Sequence, residues 1–102
     1  MELEEVLRSV AKQVFSGTGV VKAPDGETLV GKTPSKGLLR VEFSVEGQNL
    51  VGIEQNPQTG SRWAKLAREG HKVIQFRDAE TGRYIANVVD EKVTLYGKKS
   101  TE

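Results

Sequence analysis

The apolar residues of segment 3–15 recur with the period of an α-helix, and the pattern changes to a period of two after Gly19. An apolar stripe at i, i+3, i+4, i+7 and onward predicts a helix over residues 1–16 that buries one face. Three of the first five residues are glutamate, and a helix dipole favours negative charge in the first turn. Gly17 is the expected left-handed cap at the end of this helix. The stripe consists of Leu3, Val6, Leu7, Val10, Ala11, Val14 and Phe15.

Short alternating segments separated by turn residues fill the rest of the chain. Residues 39–45 alternate apolar and polar side chains, which is typical of a strand, and Glu46-Gly47 predicts a reversal into a second strand. Residues 20–30 predict a further hairpin around Pro24-Asp25-Gly26. Strands joined by short turns pair antiparallel, because parallel pairs need long crossovers. Three more strands are expected at residues 72–77, 84–89 and 93–96, with turns at 78–82 and 90–91.

The long connection 56–70 is expected to contain a short second helix, residues 61–69. Ser61 can cap its N-terminus and Gly70 can close its C-terminus. Because successive residues turn by about 100°, its apolar and basic side chains separate onto opposite faces. The apolar face, which we expect to pack into the core, consists of Trp63, Leu66 and Ala67.

The sequence predicts an α+β fold in one domain of 102 residues. The N-terminal amphipathic helix packs on a mainly antiparallel sheet or small open barrel, and the short second helix is inserted between two strand groups. The expected segments are a helix at 1–16, strands and hairpins at 19–55, a basic helix at 61–69 and a three-stranded unit at 72–97. The expected core consists of Leu3, Val6, Leu7, Val10, Val14, Phe15, Val41, Phe43, Val51, Ile53, Trp63, Leu66, Ile74 and Phe76.

The composition excludes several kinds of site and argues against catalysis. The chain has no cysteine, which excludes disulfides and thiolate chemistry and favours a cytoplasmic location. Its single histidine, His71, excludes any site that needs two imidazoles from one chain. No apolar run approaches the roughly 20 residues that a membrane span needs, and the acidic start is unlike a secretory signal. We therefore expect no metal, no cofactor and no membrane contact.

Residues 26–33 match the phosphate-binding loop formula G-x-x-x-x-G-K-[ST]. That formula binds phosphate when a strand runs into a glycine loop and then a helix. Here strand-forming residues occupy the loop, and Pro34 disfavours a helical conformation at Thr33. The sequence therefore predicts an accidental match, with Lys32 in a loop or a strand and no bound nucleotide.

The charge of the chain is unevenly distributed. The net charge is +1, yet residues 61–77 hold five bases against one acid, Glu69. Clustered cations attract backbone phosphates, and single strands also need ring planes on which bases stack. Phe76, Tyr84 and Tyr96 could supply such planes only if they face outward. We therefore expect a non-catalytic, weakly sequence-specific module for single-stranded DNA or RNA, with candidate contacts at Arg62, Lys65, Arg68, His71, Lys72 and Arg77.

Other interpretations of the same features remain open. Charge runs are usually solvated helix faces, and His71 suits a structural cap where a helix ends and a strand begins. A protein-interaction or subunit module is the alternative function, and it predicts an apolar contact patch in place of strong salt dependence. An exposed strip on the first helix, or an unpaired edge strand, could also mediate a homodimer.

Overall fold

The computed structural model of the chain describes residues 3–16, 38–45 and 47–96. Five strands form one open antiparallel sheet in the order β1-β2-β3-β4-β5, which confirms the α+β fold. The sequence predicts either a mainly antiparallel sheet or a small open barrel, and the strands form the sheet. The elements are α1 (Leu3–Phe15), β1 (Arg40–Val45), β2 (Gln48–Glu54), α2 (Arg62–Arg68), β3 (Val73–Asp78), β4 (Tyr84–Val89) and β5 (Lys92–Leu95).

Three sequence-based predictions lie outside the described residues. They are the cap at Gly17, the hairpin over residues 20–30 and the phosphate-loop match over residues 26–33, including the position of Lys32.

Helix α1 covers one face of the sheet with its apolar stripe. Arg8 joins this helix to the turn between β4 and β5, since its Nε donates to the carbonyl oxygen of Glu91 at 3.0 Å. Within the core, the rings of Phe43 and Phe76 meet edge to face with their centroids 5.7 Å apart. Burying an aliphatic or aromatic side chain of this size contributes about 1.5–3 kcal/mol. The buried side chains of the sheet in this core are Val41, Phe43, Leu50, Ile74, Phe76, Ala86 and Val88.

The caps predicted for α2 are present. Ser61 Oγ accepts from the N–H of Ala64 at 3.1 Å. At the other end Gly70 adopts a φ of +99°, and the N–H groups of Gly70 and His71 donate to the carbonyls of Ala67 and Leu66. Two crossed bonds around a left-handed glycine are the common C-terminal helix cap.

The packing of α2 differs from the prediction. Ala64 is fully buried, whereas Trp63, Leu66 and Ala67 are only half-buried. A small residue at the contact lets a short helix approach β3 closely, and Trp63 lies beside this contact, edge-on to Tyr96 with ring centroids 6.4 Å apart. The half-buried members of the predicted core are Leu3, Phe15, Ile53, Trp63 and Leu66.

Candidate nucleic-acid interface

The three cations of α2 have different surroundings. Arg62 is exposed, with its guanidinium 4.7 Å from the centroid of the Trp63 ring. Lys65 lies 3.9 Å from Glu69, and its side chain is 70% exposed, so this ion pair leaves the ammonium accessible. Arg68 is a structural residue, because its Nη1 donates to the carbonyl oxygens of Pro57 at 2.8 Å and Thr59 at 3.1 Å.

His71 and Lys72 lie apart from the cations of α2. His71 Nδ1 is 2.6 Å from Asp90 Oδ2, and the N–H of Lys72 donates to Asp90 Oδ1 at 2.9 Å. The bond from the Lys72 N–H, followed by the bond from His71, lowers the pKa of Asp90 below its ordinary value of 3.8. The Lys72 ammonium lies 5.8 Å from the ring centroid of Phe15 in α1. Lys72 therefore extends toward the side of the sheet that α1 covers.

Arg77 lies on the opposite side of the sheet, paired with Tyr84. The register shifts between Phe76 and Arg77, and this irregularity places Arg77 opposite Tyr84. The guanidinium lies over the tyrosine ring with 4.5 Å between Cζ and the ring centroid, and Nη2 donates to Tyr84 Oη at 3.0 Å. Arg77 Nε is buried without a hydrogen-bond partner. Tyr84 is 51% exposed and is the only large exposed hydrophobic residue in the described part of the chain.

The structure therefore brings together a different set of side chains from the set of candidate contacts that the sequence suggested. Of the three aromatic residues considered for stacking, Tyr84 faces outward and Phe76 is fully buried. Tyr96 is half-buried, and its Oη accepts from the buried Asn87 side chain at 2.9 Å. Tyr84 and Tyr96 line one shallow hollow, and Tyr96 meets Trp63. We call Trp63, Tyr84 and Tyr96, together with Arg62 and Arg77, the aromatic face.

A polar groove of about 360 Å³ lies next to this face. Ser61, which precedes Arg62 at the start of α2, lines the same groove as Arg77 and Tyr84. Gln55, only 8% exposed, lies at its floor. The other described residues that line it are Leu38, Ile53, Glu54, Asn56, Thr59 and Gln75.

Hydrogen bonds join the polar residues of this groove into a relay. Gln55 Nε2 donates to the carbonyl oxygen of Asn56 at 3.2 Å, and Gln55 Oε1 accepts from Gln75 Nε2 at 3.1 Å. Gln75 Oε1 in turn receives a long bond of 3.5 Å from Arg77 Nη2. The relay ends at Tyr84 through the bond that Arg77 donates. We call Gln55, Gln75 and Arg77 the relay residues.

Sequence reasoning placed Gln75 and Arg77 on the strand after the basic helix, but it missed Gln55, the contact of Gln55 with Gln75 and the pairing of Arg77 with Tyr84. The pairing has a detectable signal, because Arg77 and Tyr84 flank the predicted turn at residues 78–82. The two relay glutamines have no comparable signal, since they lie 20 residues apart in the chain and meet only through the pairing of β2 with β3.

The described residues contain no group of three or more histidine, aspartate or glutamate side chains placed to hold a metal ion. Neither described helix is long and apolar enough to cross a membrane. A comparison with known proteins finds no matching family model, no similar curated protein and no similar solved structure.

Proposed function

We propose that the protein is a non-catalytic module that binds single-stranded nucleic acid across its aromatic face. The observation that carries this proposal is the exposed ring of Tyr84 with the Arg77 guanidinium over it, on an open sheet. A second cation–ring pair, Arg62 with Trp63, directly follows the groove residue Ser61 in the chain. Single strands bind through this combination, because cations attract the phosphates while aromatic and guanidinium planes stack on the bases.

The proposal assigns the cations different functions. Arg62 and Lys65 are accessible and lie on α2, so they contact phosphates. Arg77 and Tyr84 contact a base, since both line the groove and Tyr84 is exposed. Arg68 holds the loop before α2 through two carbonyl oxygens and supports the site without contacting the strand.

A protein partner is less well supported as the ligand. A stable protein interface has a fully buried centre that is more apolar than the rest of the surface. The described residues expose a single large hydrophobic side chain, Tyr84. One exposed tyrosine in contact with Arg77 fits a base better than an apolar partner surface.

Binding is tested by fluorescence titration of the whole chain with short labelled single-stranded DNA, single-stranded RNA and duplex DNA. If Arg62 and Lys65 neutralise about two phosphates, log K should fall with log salt concentration at a slope of about −1.4. Affinity for single strands should then weaken about sevenfold between about 50 mM and about 200 mM salt. Duplex DNA should bind more weakly, because its stacked bases are not free to stack on Tyr84.

Two variants test the assigned contacts. Tyr84→Leu removes the ring and should weaken single-strand binding about tenfold. Arg62→Gln should make the salt slope shallower by about 0.7. Lys12→Gln is the matched control, because it removes one charge from an exposed position on α1, the helix on the other face. The proposal fails if neither single strand binds at low salt, or if Lys12→Gln weakens binding as much as Arg62→Gln does.

A further inference from the structure

The two ends of the relay fix the orientation of both glutamine amides. The carbonyl oxygen of Asn56 can only accept a hydrogen bond, and the Arg77 guanidinium can only donate. Gln55 must therefore turn its NH₂ toward Asn56, and Gln75 must turn its NH₂ toward Gln55 Oε1. As a result, Gln75 Oε1 faces Arg77.

The relay leaves hydrogen-bonding capacity unused at the Arg77 end. A carbonyl oxygen accepts two hydrogen bonds, and Gln75 Oε1 receives one long bond, from Arg77 Nη2. Gln75 and Arg77 both line the groove. Guanidinium donors and an amide acceptor thus lie side by side in the groove, and a ligand that offers acceptors beside a donor would satisfy both.

We propose that this groove binds one guanine base of the bound strand, an inference that rests on the proposed function. Guanine presents two adjacent acceptors, N7 and O6, and its N1–H donor follows O6. Arg77 donates to N7 and O6, as arginine commonly does in base recognition, and Gln75 Oε1 accepts from N1–H. Adenine has an amino donor where guanine has O6, so its amino group would oppose the Arg77 donors.

The shape of the groove and its charge agree with this ligand. A volume of about 360 Å³ is at the lower end of the ~300–1,000 Å³ range of small-molecule sites. Glu54 is the only carboxylate among the described residues that line the groove, and its Oε1 accepts from the N–H of Leu39 at 3.1 Å.

Mononucleotides test the guanine site without a strand. We expect guanosine monophosphate to shift the side-chain NH₂ signals of Gln55 and Gln75 in NMR spectra of the whole chain. Adenosine, cytidine and uridine monophosphates should leave both signals in place. The Gln75 signal is assigned by its loss in Gln75→Met. That variant also removes the proposed acceptor at similar size, so guanosine monophosphate should then bind no better than adenosine monophosphate.

Arg77→Lys keeps the charge and removes the planar fork, so it should abolish the shifts that guanosine monophosphate causes. Arg83→Lys is the matched control, because Arg83 is an exposed arginine next to the turn between β3 and β4 that does not line the groove. This control should respond to guanosine monophosphate as the wild type does. Amide dispersion in the spectrum of each variant shows that it is folded, and Gln75→Met gives an independent result if Arg77→Lys is unfolded.

Oligonucleotides with one central guanine or one central adenine test the same site on a strand. The wild type should prefer guanine about tenfold, and Arg77→Lys should reduce this preference to about twofold or less. If strands bind with no guanine preference and guanosine monophosphate causes no shift, the guanine site is wrong and the strand-binding proposal stands. If guanosine monophosphate shifts the glutamines and no strand binds, the guanine site stands and the strand-binding proposal is wrong. Equal shifts with adenosine monophosphate would also overturn guanine recognition.

Discussion

The ring of Phe76 occupies the space where Gly52 would carry a side chain. The two residues are directly paired across β2 and β3. A Cβ atom at Gly52 would lie 2.7 Å from Cε1 and 3.0 Å from Cδ1 of Phe76, and Phe76 is fully buried. A glycine in a strand interior often marks a close approach of this kind. This pair therefore lets a full aromatic ring fit between the centre of the sheet and α1.

Gly52→Ala should destabilise the protein by about 1–3 kcal/mol, because the buried Phe76 ring must move to admit the new methyl group. Gly60→Ala is the matched control. A Cβ atom at Gly60 meets nothing within 4 Å, so its effect should stay within about 0.5 kcal/mol. The free energy of unfolding from denaturant titrations measures both variants. If the two variants have equal free energies of unfolding, the Phe76 ring moves aside without a measurable cost in stability.

Glu91→Gly should stabilise the turn between β4 and β5. Asp90 and Glu91 have φ values of +49° and +73°, a left-handed conformation that costs most side chains about 1–2 kcal/mol. Glycine removes this cost and adds about 0.5–1 kcal/mol of backbone entropy loss, which leaves a net gain of about 0.5–1 kcal/mol. The Arg8 bond survives, since it uses the carbonyl oxygen of Glu91.

Asp90→Gly is the contrasting variant for that turn. It relieves the same kind of backbone conformation but removes the carboxylate that accepts from Lys72 N–H and lies against His71. It should therefore be less stable than Glu91→Gly in the same thermal or denaturant unfolding measurement. The reverse order would contradict the structural function of Asp90.

Acid should destabilise the protein in part through Asp78. The hydrogen bond from Gln48, followed by the backbone N–H groups of Thr81 and Glu80, lowers the pKa of Asp78 from 3.8 to about 2. A carboxyl whose pKa is lower in the folded state than in the unfolded chain stabilises the fold at any pH above its unfolded-state pKa. This contribution is lost as the pH falls. The free energy of unfolding should thus decline between about pH 4 and about pH 2.

Asp78→Asn should make this decline shallower when stability is measured across the same pH range. Asp90, whose pKa is also lowered, should retain part of the acid sensitivity in the single variant. Asp78→Asn combined with Asp90→Asn should remove more of it. An unchanged pH profile in the double variant would show that these two carboxyls do not govern acid stability.

Arg68→Gln should loosen the loop before α2, because Arg68 donates to the carbonyl oxygens of Pro57 and Thr59. We expect a loss of about 1 kcal/mol and faster amide hydrogen exchange in residues 56–61. Arg62→Gln removes the same type of residue from the same helix without these bonds, so it should leave both quantities close to wild type. Similar exchange in the two variants would contradict the structural assignment of Arg68.

The sequence was sufficient for features that depend on local rules. The stripe of α1 follows helical periodicity, and the turn at residues 90–91 follows from its polar residues between two strands. The cap at Ser61 follows from its hydroxyl, and the cap at Gly70 follows from the positive φ that glycine tolerates. Each of these signals acts within a few residues of the chain, so no knowledge of the fold is needed to find it. The α+β class follows from the change of period alone.

The packing of α2 and the candidate site depend on contacts between distant segments. Trp63 is large and apolar, so helical spacing placed it in the core, but tertiary packing buries Ala64 and leaves Trp63 beside Tyr96. The predicted turn at residues 78–82 brings Arg77 near Tyr84, but the register shift that pairs these two residues has no recognisable signal in the sequence. Gln55 and Gln75 meet only once β2 and β3 are aligned.

The Arg8–Glu91 bond joins positions 83 residues apart, and α1 packs against both β4 and β5. On the ribosome, α1 is therefore made before the strands that cover it. At a synthesis rate of about 5–20 residues per second, about 4–17 s pass between the addition of Arg8 and the addition of Glu91. Each strand of the sheet pairs with its neighbour in chain order, so the hairpins can form as they emerge. Among the described elements, α1 therefore has the longest delay before all the strands it packs against have been made.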